Sequence, residues 1–161
     1  MVVSPAPTSR QMKSPPLIRP LAPTDRKQWD DMWAGYLLFY EATLAPDVTE
    51  DTWARLMRGD GGLIGVAATD NDGALLGFAH ALTHPGTWDP RPICYLEDLY
   101  VRAEARGRGV GRALIEALVE MGHTQGWKRI YWQTDRGNET AQKLYDDLAQ
   151  RTNWLRYDLD L

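Results

Sequence analysis

Hydrophobic and polar residues follow two different periods along the chain, and these periods predict both helices and strands. Apolar residues recur every three or four positions in several segments, which predicts helices at 25–40, 49–59, 109–122 and 139–149. Other segments are short and rich in β-forming residues, which predicts strands at 17–21, 63–69, 74–82, 93–101, 128–134 and 154–161. Elements in this order predict one layered α/β structure.

The beginning of the chain differs in composition from the rest. Residues 1–16 contain four prolines, several serines and threonines and no apolar periodicity, which predicts a disordered tail. A chain of 161 residues suits one ordinary domain, so we expect residues 17–161 to form a single domain. Within this domain, Asp70–Gly73 has the composition of a hairpin turn.

The overall composition is that of an ordinary globular protein, with 43% apolar and 25% charged residues. No apolar run approaches the roughly 20 residues of a membrane-spanning helix, so we expect no membrane association. Cys94 is the single cysteine and cannot form an internal disulfide, which favours a reducing, cytoplasmic location. His80, His84 and His123 lack metal-ligand spacing, so we expect structural or surface positions for them and no metal site.

Charge is distributed unevenly about a formal net charge of −4. Residues 21–100 carry five basic and 13 acidic side chains, whereas residues 1–20 carry three basic side chains and no acid. A mildly acidic protein is not suited to coating nucleic acid, so we expect no nucleic-acid partner. The acidic segment favours a cationic partner, and solvated surface charge is the alternative interpretation.

The most specific stretch of the sequence is Arg106–Arg112, RGRGVGR, which lies between a predicted strand and a predicted helix. Its glycines let the main chain approach a ligand closely. The N–H groups of a first helical turn have no partner within the helix, so this segment predicts an anion site suited to phosphate. It lacks the Gly-Lys-Ser/Thr of a Walker loop, and Arg112 stands where a dinucleotide fingerprint has its last glycine.

Arg106, Gly109 and Gly111 form the pattern Arg-x-x-Gly-x-Gly, which resembles the acetyl-CoA pyrophosphate loop of the GNAT N-acetyltransferases. The preceding strand Tyr95–Val101 and the downstream segment 138–145 also resemble that family. The resemblance extends over nearly all of the chain after the tail. It implies an α/β (α+β) fold with a central twisted sheet, mixed but mostly antiparallel, flanked by helices. Within the superfamily, the sequence is similar to the branch of the spermidine/spermine and Hpa-type histone or amino-acid acetyltransferases.

The resemblance implies an enzyme that transfers the acetyl group of acetyl-CoA, its co-substrate, to a primary amine by direct attack in a ternary complex. A polyamine, an amino acid and a lysine side chain remain open as acceptors, and a longer acyl donor also remains open. A non-catalytic acyl-CoA-binding sensor is the alternative function. The residues implied to bind the cofactor are Leu99, Tyr100, Val101, Arg106, Gly107, Arg108, Gly109, Val110, Gly111, Arg112 and Asn138.

Two residues are implied to carry the chemistry. Glu97 corresponds to the glutamate that removes the proton of the amine, directly or through water; a carboxylate that only binds the substrate is the alternative. Tyr145 matches the tyrosine that protonates the departing thiolate, and a core position is the alternative. Asp98 would face away from Glu97 in a regular strand, so the two side chains could line one pocket only at a bulge.

Trp29, Trp33, Tyr36 and Tyr40 recur at helical spacing, so we expect core positions for them, with some lining the acceptor pocket. The resemblance also implies a homodimer paired through C-terminal strands. Only one clear strand, 154–161, follows the last predicted helix, whereas relatives with a fuller ending have two. This difference leaves a shared or exchanged strand between subunits open.

Overall fold

The computed structural model describes residues 14–161, so most of the predicted N-terminal tail lies outside the described residues. The helices are α1 (Arg26–Phe39), α2 (Pro46–Arg58), α3 (Val110–Gln125) and α4 (Glu139–Leu148). The strands are β1 (Leu17–Pro20), β2 (Leu63–Thr69), β3 (Leu75–His84), β4 (Ile93–Val101) and β5 (Arg129–Trp132).

The strands form one sheet in the order β1-β2-β3-β4-β5. Neighbouring strands pair antiparallel except β4 and β5, which are parallel and connected through α3. The turn between β2 and β3 has the predicted hairpin chemistry, since the Asp70 carboxylate accepts hydrogen bonds from the N–H groups of Asp72 and Ala74. A mixed, mostly antiparallel sheet flanked by helices confirms the predicted fold class.

Alternation along the central strands divides the apolar core between the two faces of the sheet. Ala67 of β2 and Phe78 of β3 pack with α1 and α2 around Trp29, which is completely buried. The next residues along these strands, Ala68 and Ala79, belong to the cluster beneath α3. The sheet therefore separates an aromatic face under α1 from an aliphatic face under α3.

Helix α2 begins earlier than the sequence pattern predicts. The predicted start is residue 49, but the cap position is Ala45 and Pro46 occupies the first turn. Proline suits that position because its φ is already helical and its missing N–H would have no partner there. The helix ends before Gly59, as predicted, and Gly59 takes a left-handed φ of 68°.

The predicted strand at 154–161 is wrong. Residues 149–161 form neither helix nor strand. Alternating side chains indicate which residues would share a face, but a strand also needs a neighbouring backbone to accept and donate its hydrogen bonds. Here Arg156 is held by side chains instead, donating to Gln133 and to Asp158 at 2.7 Å each. Large apolar side chains are left exposed at Trp154, Leu155, Tyr157, Leu159 and Leu161.

Candidate active site

A bulge in β4 directs two consecutive acidic residues toward one place. The pairing with β3 passes from Leu96 to Asp98 while β3 advances by one residue, so Glu97 has no partner in β3. Burial raises the pKa of the Tyr36 phenol, and the charges of Asp98 and Glu97 raise it further. Both carboxylates therefore lie near the same phenol, which is the arrangement that the sequence allows only at a bulge.

The environment of Glu97 favours its protonated form more than water does. Glu97 is exposed as a whole residue, but its carboxyl is partly desolvated by the surrounding protein, which raises its pKa, and the adjacent Asp98 carboxylate raises it further. The guanidinium of Arg156, in the C-terminal segment, acts in the opposite direction and lowers the pKa of Glu97. A carboxylate with a raised pKa is a stronger base than an ordinary one, so Glu97 is suited to accept a proton at neutral pH.

A cleft opens where β4 and β5 part. The two strands pair only from Ile93–Arg129 to Leu96–Trp132. Beyond that point β4 continues to Val101, whereas β5 ends, so no strand of the described residues 14–161 lies beside the main chain of residues 97–101 on this side. The residues that line the cleft are Tyr36, Tyr40, Leu96, Glu97, Leu99, Trp132, Gln133, Thr134 and Tyr145.

Tyr145 reaches this cleft from α4. Its ring packs edge-on against Trp132, with ring centroids 5.4 Å apart. Burial, and to a smaller extent the nearby Tyr40, raise the pKa of Tyr145 to about 12. The phenol therefore keeps its proton at neutral pH, and the predicted acid and the predicted base line the same cleft.

The glycine-rich loop ends at an open helix N-terminus. Gly107 and Gly109 take left-handed φ angles of 69° and 79°, a region that glycine enters without strain. The first main-chain bond of α3 runs from the Ala113 N–H to the Gly109 oxygen at 3.0 Å. The N–H groups of residues 110–112 precede it and have no acceptor within the helix. No acidic residue lies in the first turn of α3, so its positive end is not neutralised.

The arginines of this loop differ in what they contact. Arg106 donates through Nε to the Val101 oxygen at 3.1 Å, and its guanidinium lies 5.9 Å from the centroid of the Tyr100 ring. Arg112 pairs with Asp147 of α4 at 3.0 Å. Within residues 14–161, no carboxylate pairs with Arg108. The loop therefore presents cationic groups around the open N–H groups of α3.

Two predicted cofactor-binding residues have structural contacts as well. Asn138 caps α4, accepting a hydrogen bond from the Ala141 N–H at 3.3 Å. This bond uses the side-chain oxygen, so the amide NH₂ is the group that Asn138 offers to a ligand. The ring of Tyr100 packs against Phe78 on the face beneath α1. Only its main chain is left to contribute on the side of the cleft.

Comparison with known proteins agrees with this geometry. Residues 27–149 match the model of the Acetyltransferase (GNAT) family. The chain belongs to this family. It is 35% identical over 142 residues to the D-amino-acid N-acetyltransferase HPA3 of Saccharomyces cerevisiae, covering 88% of each chain. It is also 34% identical over 73 residues, 42% of each chain, to the thialysine N-epsilon-acetyltransferase of Bos taurus.

Among solved structures, the ribosomal-protein-alanine N-acetyltransferase of Brucella melitensis superimposes on this GNAT protein with a TM-score of 0.76 at 23% identity. The match covers 91% of this chain and 99% of that one, so the fold extends over nearly the whole molecule. Family and relatives together make the protein an acetyltransferase, an enzyme that transfers an acetyl group to an amine. Within residues 14–161 no helix has the length and apolar character to cross a bilayer, and no cluster of metal-ligand side chains occurs.

The structure of this GNAT enzyme adds residues to the site that the sequence pattern does not separate from the core. Trp29 and Trp33 are buried as expected, whereas Tyr36, one turn further along α1, and Tyr40, directly after the helix, line the cleft. His80 is buried as a structural histidine would be, but its ring is hydrogen-bonded to Asp98. The sequence indicates these aromatic residues only in part. Helical spacing places all four on one stripe, but it does not show which of them lie beyond the core.

Proposed function

We propose that this acetyltransferase binds acetyl-CoA in the opening between β4 and β5 and transfers the acetyl group to a primary amine held beside Glu97, in a ternary complex. The observation that carries the proposal is the cleft at the parting of the strands, lined by Glu97 from β4 and Tyr145 from α4. The mechanism needs one group that accepts a proton and another that donates one. The raised pKa of Glu97 makes it a stronger base than an ordinary carboxylate, and the pKa of Tyr145, about 12, keeps its phenol protonated at neutral pH.

The loop and the free edge of β4 fit the two chemically different halves of acetyl-CoA. The open N–H groups at the N-terminus of α3 and the surrounding guanidinium groups suit the pyrophosphate, because both donate hydrogen bonds to anions. The unpaired main chain of β4 suits the pantetheine amides, which would add to the sheet as a short strand does. The residues proposed to hold it are Leu99, Tyr100, Val101, Arg106, Gly107, Arg108, Gly109, Val110, Gly111, Arg112 and Asn138.

In the proposed reaction, the residues of the cleft move two protons. Glu97 takes a proton from the ammonium form of the acceptor, directly or through a water, which frees the nitrogen lone pair for attack on the thioester carbon. Attack leaves a second proton on the nitrogen, and collapse of the tetrahedral intermediate breaks the carbon–sulfur bond. Tyr145 donates its phenolic proton toward the departing sulfur and regains a proton from the nitrogen, directly or through a water, so the phenol is restored. A thiol, with an ordinary pKa of about 8.5, is more acidic than this phenol, so the donation mainly stabilises the negative charge that develops on sulfur.

For the acceptor, we propose a small molecule with a primary amine, and an amino acid in the first place. Glu97, Asp98 and two tyrosines suit an ammonium group. Arg156 is held beside the cleft by its hydrogen bond to Gln133, which lines it, and Nε of Arg156 donates to Asp158. Its Nη2 makes neither of these bonds and suits the carboxylate that an amino acid carries and a polyamine lacks. The yeast relative is named for D-amino acids, which supports the same choice.

The test is a panel of amines incubated with acetyl-CoA, followed by release of free CoA thiol. The panel contains D- and L-amino acids, polyamines and a lysine-containing peptide. Lysine and cadaverine form a matched pair because they differ only in the carboxylate. We expect lysine to be acetylated faster than cadaverine. Binding of acetyl-CoA without thiol release for any amine would instead support the acyl-CoA sensor.

Gly109→Ala is expected to weaken acetyl-CoA binding about tenfold, because an alanine strains the left-handed φ that aims the N-terminus of α3. Isothermal titration calorimetry measures this dissociation constant. Gly126→Ala is the matched control. Gly126 caps the other end of α3 with a φ of 71°, and an added Cβ meets nothing within 4 Å at either glycine. Both variants should lose about 1–2 kcal/mol of stability, so an equal loss of acetyl-CoA affinity in both would contradict the assignment of the loop.

We also propose that the protein is a cytoplasmic homodimer in which the C-terminal segment of one subunit covers the other. The support is the row of exposed apolar side chains after residue 153 and the outer edge of β5, where the described part of the chain, residues 14–161, places no strand. A buried free thiol, Cys94, accords with a reducing compartment.

Removal of residues 153–161 is expected to convert the protein from dimer to monomer, because the apolar contact surface is lost with it. Multi-angle light scattering at micromolar concentration measures the mass. Trp88→Ser is the control, since Trp88 is 96% exposed, comparable to Trp154 at 87%, but stands alone in a loop. A full-length chain that is purely monomeric under these conditions would contradict the proposed homodimer.

A further inference from the structure

A buried chain of hydrogen bonds connects α1 to the acidic pair of the cleft. The indole Nε1 of Trp29 lies 2.9 Å from Nε2 of His80, and Nδ1 of His80 lies 2.9 Å from Oδ2 of Asp98. Trp29 is 0% exposed and His80 is 2% exposed. The side chain of Asp98 is 14% exposed, so the chain runs from the core to the edge of the cleft.

The donor and acceptor roles along this chain follow from its first member. An indole nitrogen can only donate, so Nε2 of His80 must be the acceptor and the neutral ring carries its proton on Nδ1. That proton is donated to Asp98, which is acceptor-only as a carboxylate. Both ring nitrogens are then in use, and His80 has no free lone pair with which to take a proton from a substrate amine.

We propose that His80 is a positioning residue of the acceptor site: held as the Nδ1–H tautomer by Trp29, it fixes the Asp98 carboxylate as the counter-ion of the acceptor's ammonium group. This inference rests on the proposed function, because it assigns the residues that hold the amine before Glu97 deprotonates it. Asp98 is thereby given the binding role and Glu97 the proton transfer.

The location of Asp98 supports this division. Asp98 is adjacent to Glu97, which lines the cleft, and its side chain is 14% exposed. Its charge raises the pKa of Tyr36 and Tyr40, which also line the cleft. Two adjacent carboxylates repel each other, and a cation between them removes that repulsion. The hydrogen bond from His80 to Oδ2 of Asp98 holds the carboxylate in one orientation toward such a cation, whereas a carboxylate without this bond would rotate.

The two nitrogen positions of His80 can be replaced one at a time. The amide nitrogen of an asparagine falls near Nδ1 of a histidine, so His80→Asn retains a donor to Asp98 and loses the bond from Trp29. The amide of a glutamine falls near Nε2, so His80→Gln retains the contact with Trp29 and loses the one with Asp98. Asparagine also leaves the larger cavity, so His80→Asn is expected to have the lower melting temperature.

The acceptor affinity is expected to follow the opposite order to stability. With the best amine of the panel, His80→Gln should raise KM for the acceptor about tenfold, the effect of losing a hydrogen bond to a charged group. His80→Asn should stay within about threefold of wild type. Both variants should keep kcat and the acetyl-CoA dissociation constant near wild type. Leu118→Ala, a buried change in α3, controls for general destabilisation and should leave KM unaltered.

Two outcomes overturn the inference. One is an acceptor KM that rises as the melting temperature falls, so that His80→Asn has a higher KM than His80→Gln. A purely structural role for His80 requires this order. The other is an additive effect in the double variant. Because His80 acts through Asp98, His80→Gln/Asp98→Asn should bind the acceptor no more weakly than Asp98→Asn alone, and weaker binding by the double variant contradicts the inference.

A second measurement separates this inference from the proposed function. Calorimetric titration of the amine into the protein saturated with CoA reports acceptor binding without turnover. If the wild-type protein binds the amine but transfers no acetyl group, the proposed reaction is contradicted. The same titration with the His80 variants still tests the role of His80 in binding. A wild-type protein that binds none of the amines overturns both.

Discussion

Glu97→Gln is expected to lower kcat for acetyl transfer at neutral pH by about 10²-fold or more, the usual contribution of a general base. Glutamine keeps the size of the side chain and the bulge of β4 but cannot accept a proton. The acetyl-CoA dissociation constant should stay near wild type, because the loop and the N-terminus of α3 are unchanged. Steady-state kinetics with the best amine and calorimetry with acetyl-CoA measure the two quantities.

The pH dependence gives the same variant a second readout. Partial desolvation and the Asp98 carboxylate raise the pKa of Glu97, so this residue remains protonated, and inactive as a base, to a higher pH than an ordinary glutamic acid near 4.3. We therefore expect kcat/KM to rise with pH through a midpoint above that value, and this acidic limb should disappear in Glu97→Gln.

The control for this variant is Glu116→Gln, the same substitution at an exposed glutamate of α3 that does not line the cleft. It should leave both the rate and the acidic limb intact. Turnover at the wild-type rate in Glu97→Gln would mean that Glu97 has a substrate-binding or structural role. The proton of the amine would then be accepted by water instead.

Tyr145→Phe is the second substitution with a large expected effect, a decrease of about 10²-fold in kcat. Phenylalanine preserves the ring that packs on Trp132, so the loss is that of the proton donor alone. Because the pKa of Tyr145 is raised to about 12, its phenol stays protonated throughout the assay range. The decrease should consequently be the same from about pH 6 to pH 9, unlike that of the glutamate variant.

Tyr131→Phe is the matched control for Tyr145→Phe. Tyr131 lies on β5, stacks on Tyr95 with centroids 4.9 Å apart and is hydrogen-bonded to His84, but it does not line the cleft. Its removal should leave kcat near wild type. A wild-type kcat in Tyr145→Phe would mean that the thiolate departs without help from this residue.

Most element positions are predictable from the sequence because they depend on local signals. The strand Ile93–Val101 has its predicted bounds, and the helix after the loop begins within one residue of its predicted start, because glycines and apolar periodicity mark both. The C-terminal strand is the exception. Its alternation is present in the sequence, but the paired backbone that makes a strand is not a local property.

The candidate site divides in the same way. The loop is predicted from its glycines and arginines before a helix, and the roles of Glu97 and Tyr145 are implied by the resemblance to the GNAT family. The bulge that directs Glu97 and Asp98 toward one cleft depends on the register between β4 and β3. The residue types in β4 do not predict that register. His80 is distant from Asp98 in sequence and is joined to it only because β3 and β4 are neighbours in the sheet.

By itself the sequence predicted the order of helices and strands as far as the last helix, a glycine-rich loop before the N-terminus of a helix and, through the family resemblance, the two residues implied to move protons. These features depend on interactions between residues close together in the chain. Only the tertiary structure decided which strands part to open the cleft, where the aromatic stripe of α1 leaves the core, and that a tryptophan and a histidine stand behind Asp98. Strand register and the packing of α1 on the sheet set these contacts, and both are established between segments distant in sequence.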